Sequence, residues 1–370
     1  MMPAALPAQP ILRLRQVTRS QPALRDLSFD VAAGEMLTLM GPAGAGQSAI
    51  LRLIAGYDRP DSGEILLADR PILRTPPQRR GIGVVFADQP ILPQVTLAAN
   101  IAATLRAAGL GRGEVVAPAA QALELLGLAG QEDRRAAQLS PIDQARLALA
   151  RAIAGTPSLV LLDEPFAGLD RASRSALQGE LRALQRKLGV AMIHVTHDET
   201  EALLLSDRIG VLAKGGLRQI GTPAELYDSP QDAFVARFLG ENNLLRGRIE
   251  DIVDDLARIR LECGPVVEAR LADALPGQSC LVAIRPERVA VASVPAEEMG
   301  DGALPATLIE TLFLGDHLRL RLQVGQPGRK PAEMLVKRPA GVPVGSLKPG
   351  QASVAWQPYQ AWAFAPVPGL

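Results

Sequence analysis

Short apolar runs alternate with amphipathic segments over roughly the first 235 residues of the chain. Each run holds four to six residues rich in Val, Ile and Leu and ends at turn-forming residues, which is typical of buried strands in a parallel sheet. The predicted strands are 11–14, 35–40, 83–86, 159–163, 191–196 and 208–212. Apolar positions at helical spacing predict helices over 48–54, 119–126, 141–153 and 171–188. This alternation predicts an α/β fold.

The pattern changes after residue 238, where the long helical stretches end and short alternating runs begin. These runs are 246–252, 257–262, 279–285, 306–314, 317–324 and 352–358. Gly and Pro separate them, as in the segment Gly-Gln-Pro-Gly at 325–328. Short strands at regular spacing predict an all-β domain, built either as one small barrel or as a pair of barrels.

Composition narrows the choice of function. The 370 residues suggest two or three domains, and 39 basic against 39 acidic residues disfavour a general nucleic-acid binder, which needs a basic surface. Two cysteines outside any CxxC or CxxH cluster disfavour a disulfide scaffold and a cysteine-based zinc site. No apolar run reaches the roughly 18 residues of a membrane span, and prolines at positions 3, 7 and 10 disfavour a signal peptide.

A glycine-rich segment lies between the predicted strand 35–40 and the predicted helix 48–54. It fits the phosphate-loop pattern G-x-x-x-x-G-K-[ST], except that Gln47 stands in the lysine position. In such a loop backbone N–H groups surround the phosphates at a helix N-terminus, and Ser48 is placed to reach Mg²⁺. The predicted nucleotide-binding residues are Gly41, Pro42, Ala43, Gly44, Ala45, Gly46, Gln47, Ser48 and Ala49. The alternative is a purely structural turn.

Two carboxylates end the apolar run Leu-Val-Leu-Leu-Asp-Glu-Pro at 159–165. Asp163 is predicted to hold Mg²⁺ through water, and Glu164 to act as general base on the attacking water. His197 stands at the end of the predicted strand 191–196, 33 residues after Glu164. The alternatives are a solvated pair of carboxylates and a structural histidine.

The order and spelling of these motifs resemble the ATP-binding cassette (ABC) subunits of bacterial importers. The motifs are the loop 41–48, Leu139-Ser140, LLDEPFAGLD at 161–170, VTHDETEAL at 195–203, FLGENNLLRG at 238–247 and AIRPERVAV at 283–291. The β-rich tail resembles the TOBE-like regulatory barrel of importers for polyamines, ferric iron, sulfate, molybdate and sugars. The resemblance covers nearly the whole chain and implies an ABC cassette of the P-loop NTPase fold over 1–238, with a helical subdomain at about 88–155 and an OB-like TOBE barrel domain over 239–370.

The resemblance also implies a site, cofactors and partners. ATP and Mg²⁺ are the implied cofactors, with Glu164 and His197 catalytic, Ser48 and Asp163 on the magnesium side, and Asp170 in the D-loop. Two cassettes of the family dimerise head to tail, and ATP lies between the P-loop of one and the signature motif of the other. The implied partners are permease subunits, a second cassette and, indirectly, a periplasmic or extracellular solute-binding protein, with no nucleic acid. The implied location is the cytoplasmic face of the membrane.

The signature motif departs from the family. The family reads LSGGQ, whereas here Ser140 is followed by Pro141, Ile142 and Asp143. Pro141 has no N–H to offer a phosphate, and Ile142 is bulky where the family keeps a bare backbone. Ser140 as N-cap with Asp143 three residues later predicts a stable S-x-x-D helix start instead. The carboxylate of Asp143 would repel a phosphate that arrives there.

Three more departures point the same way. Gln47 keeps an amide donor but no charge, and the loss of a charge-assisted phosphate contact costs about 1.5–3 kcal/mol. Ala87 occupies the slot of the glutamine that links nucleotide to permease, with Gln89 as an alternative donor if the loop shifts. The segment 18–22 lacks the aromatic residue on which the family stacks adenine. Four departures favour a naturally degenerate chain over one laboratory substitution.

Three hypotheses follow. The first is an importer's ATP-binding subunit with weak hydrolysis. The second is a non-catalytic regulatory or structural cassette that docks a permease or a second cassette. The third is an anion or metabolite sensor in the C-terminal domain, with Arg285 and Arg288 as candidate ligands. The solute is chosen by other subunits, although the string at 238–247 favours the polyamine or iron branch.

Overall fold

The computed structural model describes residues 10–86, 91–272, 274–341 and 352–366. The chain forms two compact units, Met1–Pro223 and Ala224–Leu370. Among the described helices, none is both long and apolar enough to cross a membrane.

The first unit contains one antiparallel and one mainly parallel sheet. Its strands are β1 (Pro10–Arg19), β2 (Leu24–Ala32), β3 (Met36–Met40), β4 (Ser62–Leu67), β5 (Arg70–Pro71), β6 (Ile82–Val85), β7 (Leu159–Asp163), β8 (Ala191–Val195), β9 (Arg208–Ala213) and β10 (Gly216–Gly221). The antiparallel sheet has the order β2-β1-β4-β5, and the other sheet has the order β10-β9-β3-β8-β7-β6. Strands β9, β3, β8, β7 and β6 are parallel, and β10 runs antiparallel to β9.

Side-chain oxygens cap the N-termini of four of the six helices described in the first unit. They are α1 (Gln47–Ala55), α2 (Leu97–Ala107), α3 (Val116–Leu125), α4 (Pro141–Ile153), α5 (Arg171–Leu188) and α6 (Glu199–Leu205). The predicted bounds of α4 and α5 are confirmed. Ser140 and Asp170 cap their N-termini with side-chain oxygens, and Gly189 ends α5 in the left-handed conformation with φ 60°.

The prediction for strand 11–14 is wrong in one respect: β1 lies in the antiparallel sheet and not in the parallel one. Leu12 and Leu14 are buried, whereas the arginines at 13 and 15 between and after them are not. A strand with one buried face alternates in this way, while a parallel strand covered on both faces is apolar throughout, as β3 is.

The second unit is mostly β-structure. Its helices are α7 (Pro223–Asp228, which starts at the unit boundary), α8 (Ala233–Phe238) and α9 (Ala296–Met299). Its strands are β11 (Asn243–Val253), β12 (Leu256–Leu261), β13 (Val266–Leu271), β14 (Ser279–Ile284), β15 (Ala290–Ala292), β16 (Leu304–Phe313), β17 (His317–Val324), β18 (Ala332–Pro339), β19 (Ala352–Ala355) and β20 (Ala361–Phe364). The all-β prediction is confirmed.

Within the described residues the second unit is one closed barrel, in the order β11-β12-β13-β20-β14, plus a sheet in the order β15-β19-β16-β17-β18. Strand β20 closes the barrel because it pairs parallel to β13 and antiparallel to β14. The last strand among the described residues therefore completes a barrel that begins at Asn243.

Candidate functional site

The carboxyl ends of three neighbouring strands bring the predicted site residues to one edge of the parallel sheet. In the register of the sheet Leu39 of β3 lies opposite Val195 of β8, and Val195 lies opposite Asp163 of β7. The glycine-rich loop follows β3, Glu164 follows β7, and His197 follows β8. This edge is where open α/β sheets bind ligands.

The loop that leaves β3 depends on its glycines. Gly44 and Gly46 have φ values of 79° and 107°, a region that residues with a Cβ rarely adopt. A Cβ at Gly41 would lie 2.5 Å from the carbonyl oxygen of Leu212, so a side chain does not fit there. A Cβ at Gly44 would meet nothing within 4 Å, so the backbone at this position borders open space.

Gln47 is the first residue of α1, and its side chain lies beneath the loop. Only 4% of the residue is exposed, and its Nε2 has no hydrogen-bond partner among the residues that the structure describes. A Cβ built at Gly41 would lie 2.9 Å from this Nε2, which places the amide against the start of the loop. Of the other predicted loop residues, Pro42, Ala43, Gly44 and Ser48 are exposed, and Ala45, Gly46 and Ala49 are buried.

The two residues predicted for Mg²⁺ are in contact. The Ser48 hydroxyl donates a hydrogen bond of 3.0 Å to Oδ1 of Asp163, although the two residues are far apart in sequence. Oxygen ligands of this kind, a hydroxyl and a carboxylate, are those that Mg²⁺ prefers. The contact joins the N-terminus of α1 to the end of β7.

Glu164 has a strained backbone and a partly buried carboxylate. Its φ of 49° lies in the left-handed region, which is sparsely populated by residues other than glycine and is enriched at functional sites. Its Oε1 accepts a 3.0 Å hydrogen bond from the backbone N–H of His197 and lies 3.9 Å from Nε2 of that ring. Burial raises the pKa of Glu164, and the neighbouring His197 opposes this. A carboxylate with a raised pKa suits proton transfer.

The signature positions form a closed hydrogen-bond network. The Ser140 hydroxyl accepts a 3.3 Å hydrogen bond from the Asp143 N–H and donates one of 2.7 Å to Oδ2 of Asp143. The Asp143 carboxylate also pairs with Arg146 at 2.9 Å, and Arg146 binds Glu180 of α5 with two nitrogens. Asp143 is therefore held at the N-terminus of α4, with Pro141 and Ile142 in its first turn.

The remaining predicted positions give a mixed picture. Asp170 accepts hydrogen bonds from the N–H groups of Ala172 and Ser173, so its carboxylate caps its own helix. The hydroxyl of Ser173, which also donates to it, lowers the pKa of Asp170. Ala87 and Gln89 lie outside the described residues.

Comparison with known proteins decides the family. The ABC transporter family matches residues 24–167 and the TOBE domain matches residues 282–364. The spermidine/putrescine import ATP-binding protein PotA of Rubrobacter xylanophilus is 38% identical over 352 residues, which is 93% of this chain and 91% of that protein. The chain belongs to the family of ABC-type import ATP-binding proteins.

Other relatives of this import ATP-binding protein agree. The PotA protein of Pseudomonas aeruginosa is 38% identical over 311 residues, which is 83% of this chain and 86% of that protein. The ADP- and Pi-bound dimer of the ATP-binding cassette MJ0796 matches with a TM-score of 0.50 at 25% identity, over 57% of this chain and 98% of that one. The structure of cbiO1 from Clostridium perfringens matches with a TM-score of 0.52 at 26% identity, over 59% of this chain and 90% of that one. The expected ABC cassette followed by a TOBE domain is confirmed.

The import ATP-binding protein also has an ionic cluster that sequence reasoning missed. Arg174 on α5 donates a 3.4 Å hydrogen bond to the carbonyl oxygen of Leu169, next to the D-loop, and pairs with Asp198, next to His197, at 3.5 Å. Its Nε lies 3.8 Å from buried Glu201, which accepts a 2.7 Å hydrogen bond from the Thr196 hydroxyl. The segment 195–203 contains Asp198 and Glu201, and its sequence marks the family without showing that these two residues pair with Arg174.

His194 lies fully buried under this cluster. Its Nδ1 is 3.2 Å from the Thr38 hydroxyl, and its Nε2 is 3.8 Å from Oε2 of Glu201. Burial lowers the pKa of His194 from 6.5 to about 4, because the charged imidazolium would lose its hydration. The ring is therefore neutral at physiological pH.

We expect His194 to make folding of the import ATP-binding protein sensitive to acid. Between pH 6.5 and about 4 the unfolded chain binds this proton and the folded chain does not. Stability is therefore lost as the pH falls through this window, by up to about 3 kcal/mol. Urea unfolding followed by circular dichroism at about pH 7 and about pH 4.5 measures the loss. His194→Gln is the matched variant and should lose less stability, because it lacks the titrating imidazole. Glu201, whose pKa is raised by burial, is present in both proteins, so its opposing effect cancels in the comparison. An equal loss in both proteins would contradict the assignment.

Arg285, one of the two predicted anion ligands, serves the fold of the second unit. Its guanidinium stacks 3.8 Å from the ring centre of Tyr227 and donates to the carbonyl oxygens of Ala236, Glu241 and Tyr227. Only 3% of the residue is exposed. Arg288 pairs with Asp228. These contacts give the sensor hypothesis no support.

Proposed function

We propose that this chain is the ATP-binding subunit of a polyamine importer and that it binds Mg-ATP but hydrolyses it slowly. The polyamine assignment comes from relatives named for spermidine/putrescine import, which match most of the chain. The observation that carries the mechanism is that some parts of the site match the family and others do not. The contact between Ser48 and Asp163 is intact, whereas the lysine position and the signature are altered.

The residues present fit a magnesium nucleotide. The unpaired, buried Nε2 of Gln47 needs an acceptor, and a phosphate oxygen in the loop would supply one. Ser48 and Asp163 would hold Mg²⁺, which when bound would neutralise charge on the phosphates. Glu164 would take a proton from the attacking water, and His197 would orient the Glu164 carboxylate through the backbone contact described above.

The slow hydrolysis follows from the signature. In a head-to-tail dimer the N-terminus of α4 would face the phosphate held by the partner cassette, yet Pro141 offers no N–H and Asp143 places a carboxylate there. Removing one preorganised donor from a site that stabilises charge costs roughly a hundredfold to a thousandfold in rate. In a homodimer both sites would carry this defect together with Gln47.

The proposed partners are a second cassette and the permease subunits, at the cytoplasmic face of the membrane. A cavity of about 520 Å³ lies between α2 and β6, with Tyr57, Val84 and Asn100 among its lining residues. Val84 and Leu92 both line the cavity. They flank position 87, where the resemblance places the glutamine that links nucleotide to permease in the family. We propose that the permease docks in this groove. We further propose a cassette over 1–238, with its helical subdomain at about 88–155, and a regulatory domain over 239–370.

Calorimetry and phosphate release test the proposal. We expect Mg-ATP to bind the purified full chain with micromolar affinity and Asp163→Asn to weaken that binding at least roughly tenfold. Phosphate release with the permease present should be roughly a hundredfold slower than that of the Rubrobacter relative assayed with its own permease. Turnover equal to that of the relative would contradict slow hydrolysis. Absence of binding at millimolar Mg-ATP would contradict the whole assignment.

A non-catalytic cassette is the second candidate. The observation that favours it is the Asp143–Arg146–Glu180 network, which fixes the signature segment in a form suited to helix stability. In this case Mg-ATP would bind with the expected dependence on Asp163, and phosphate release would stay at the background level of Glu164→Gln. The same two measurements therefore separate the candidates.

A further inference from the structure

The phosphate loop supplies neutral donors. Residues 41–49 contain no Lys or Arg, so its hydrogen-bonding groups are backbone N–H groups, the Ser48 hydroxyl and the Gln47 amide. Gln47 is only 4% exposed, and within the described part of the chain nothing accepts a hydrogen bond from its Nε2. Leaving such a donor unpaired costs about 1–3 kcal/mol, so this group points to an acceptor within the loop.

Two carboxylates lie beside the loop. Asp163 lies in hydrogen-bond contact with Ser48, and the Glu164 carboxylate follows directly in the chain. A polyphosphate in the loop would therefore bring its own negative charge close to two carboxylates. Neighbouring groups of like charge repel each other strongly when they are partly removed from water. In a P-loop with lysine, the ammonium group offsets part of this repulsion.

We propose that this loop accepts nucleotide only as its magnesium complex. Ser48 and Asp163 would hold Mg²⁺, which would offset the repulsion between Asp163 and the phosphates and supply the positive charge that Gln47 does not. Gln47 contributes a hydrogen bond to the phosphate and no charge. The inference rests on the proposed nucleotide binding and adds a requirement to it: ATP and ADP without Mg²⁺ bind far more weakly than their magnesium complexes.

Calorimetry with and without the metal tests this inference. The full chain is titrated with Mg-ATP and with ATP in EDTA at the same ionic strength, and Mg²⁺ alone is the blank. We expect metal-free ATP to bind at least roughly a hundredfold more weakly than Mg-ATP. Equal affinities for the two forms would overturn the inference while leaving nucleotide binding intact. If Mg-ATP itself does not bind, the proposed function fails and the inference falls with it.

Two substitutions at one position separate charge from hydrogen bonding. Gln47→Lys introduces a positive charge, so the ratio of the affinities for Mg-ATP and metal-free ATP, called the gap below, should shrink at least roughly tenfold. Gln47→Met keeps a similar volume but removes the donor, so both forms should weaken by a similar factor and the gap should stay as wide as in the wild type. Thermal unfolding confirms that each variant is folded. A gap that is unchanged in Gln47→Lys would overturn the inference.

Discussion

Gln47→Lys is expected to tighten Mg-ATP binding roughly ten- to a hundredfold and to gain little turnover. The ammonium group would meet the phosphates at the position where the neutral Gln47 amide now lies unpaired. The partner's signature segment would still begin with Pro141 and carry the Asp143 carboxylate. Binding is measured by calorimetry and turnover by steady-state phosphate release with the permease. Turnover in this single variant equal to that of the Rubrobacter relative would contradict the proposal that the phosphate loop and the signature motif are both defective.

Repairing the phosphate loop and the signature motif in one variant should raise turnover at least roughly a hundredfold over the wild type. The variant combines Gln47→Lys with Pro141→Gly, Ile142→Gly and Asp143→Gln, which returns the signature to the family's LSGGQ. Adding Glu164→Gln to it is the control and should abolish the gain. Because the change also removes the pairing of Asp143 with Arg146, thermal unfolding is measured in parallel. A fully folded combined variant without any gain would contradict the role given to the signature.

Phe364→Ala is expected to lower the free energy of unfolding of the second unit by about 3–5 kcal/mol. Phe364 ends the strand that closes the barrel, is fully buried, and packs with Ala233, Leu281 and Ala283. Removing its ring would leave a cavity at the closure.

Fluorescence isolates this effect, because both tryptophans of the chain, Trp356 and Trp362, lie in the second unit. Urea unfolding followed by their emission therefore reports on that unit. Tyr359→Ala is the matched control: this aromatic residue is 65% exposed, and its loss should change stability by less than about 0.5 kcal/mol. If the two variants shifted the unfolding midpoint equally, the closing role of β20 would be wrong.

Local signals in the sequence predict much of the cassette. The phosphate loop, the Asp163-Glu164 pair and the bounds of α4 and α5 all follow from residues within a few positions, such as the caps Ser140 and Asp170. The convergence of the loop, Glu164 and His197 also follows, since parallel strands end at one edge.

Contacts between distant segments could not be predicted in the same way. Pairing of β20 with β13 and β14 spans some 80 residues or more, and no periodicity encodes a partner at that distance. Arg174 and Glu201 look like ordinary helix-surface charges until the fold brings α5 against the start of α6. The sheet of β1 was misassigned because only four of its residues were considered, too few for the alternation to show.

The late position of β20 also bears on how the protein is made. The first unit is complete at Pro223 and, because domains tend to fold as they emerge, can fold while the rest is still being synthesised. The barrel cannot close until Phe364, the last residue of β20, has left the ribosome. A chain truncated before β20 would therefore consist of a folded first unit joined to an unclosed barrel with exposed strand edges, a form that is prone to aggregation and proteolysis.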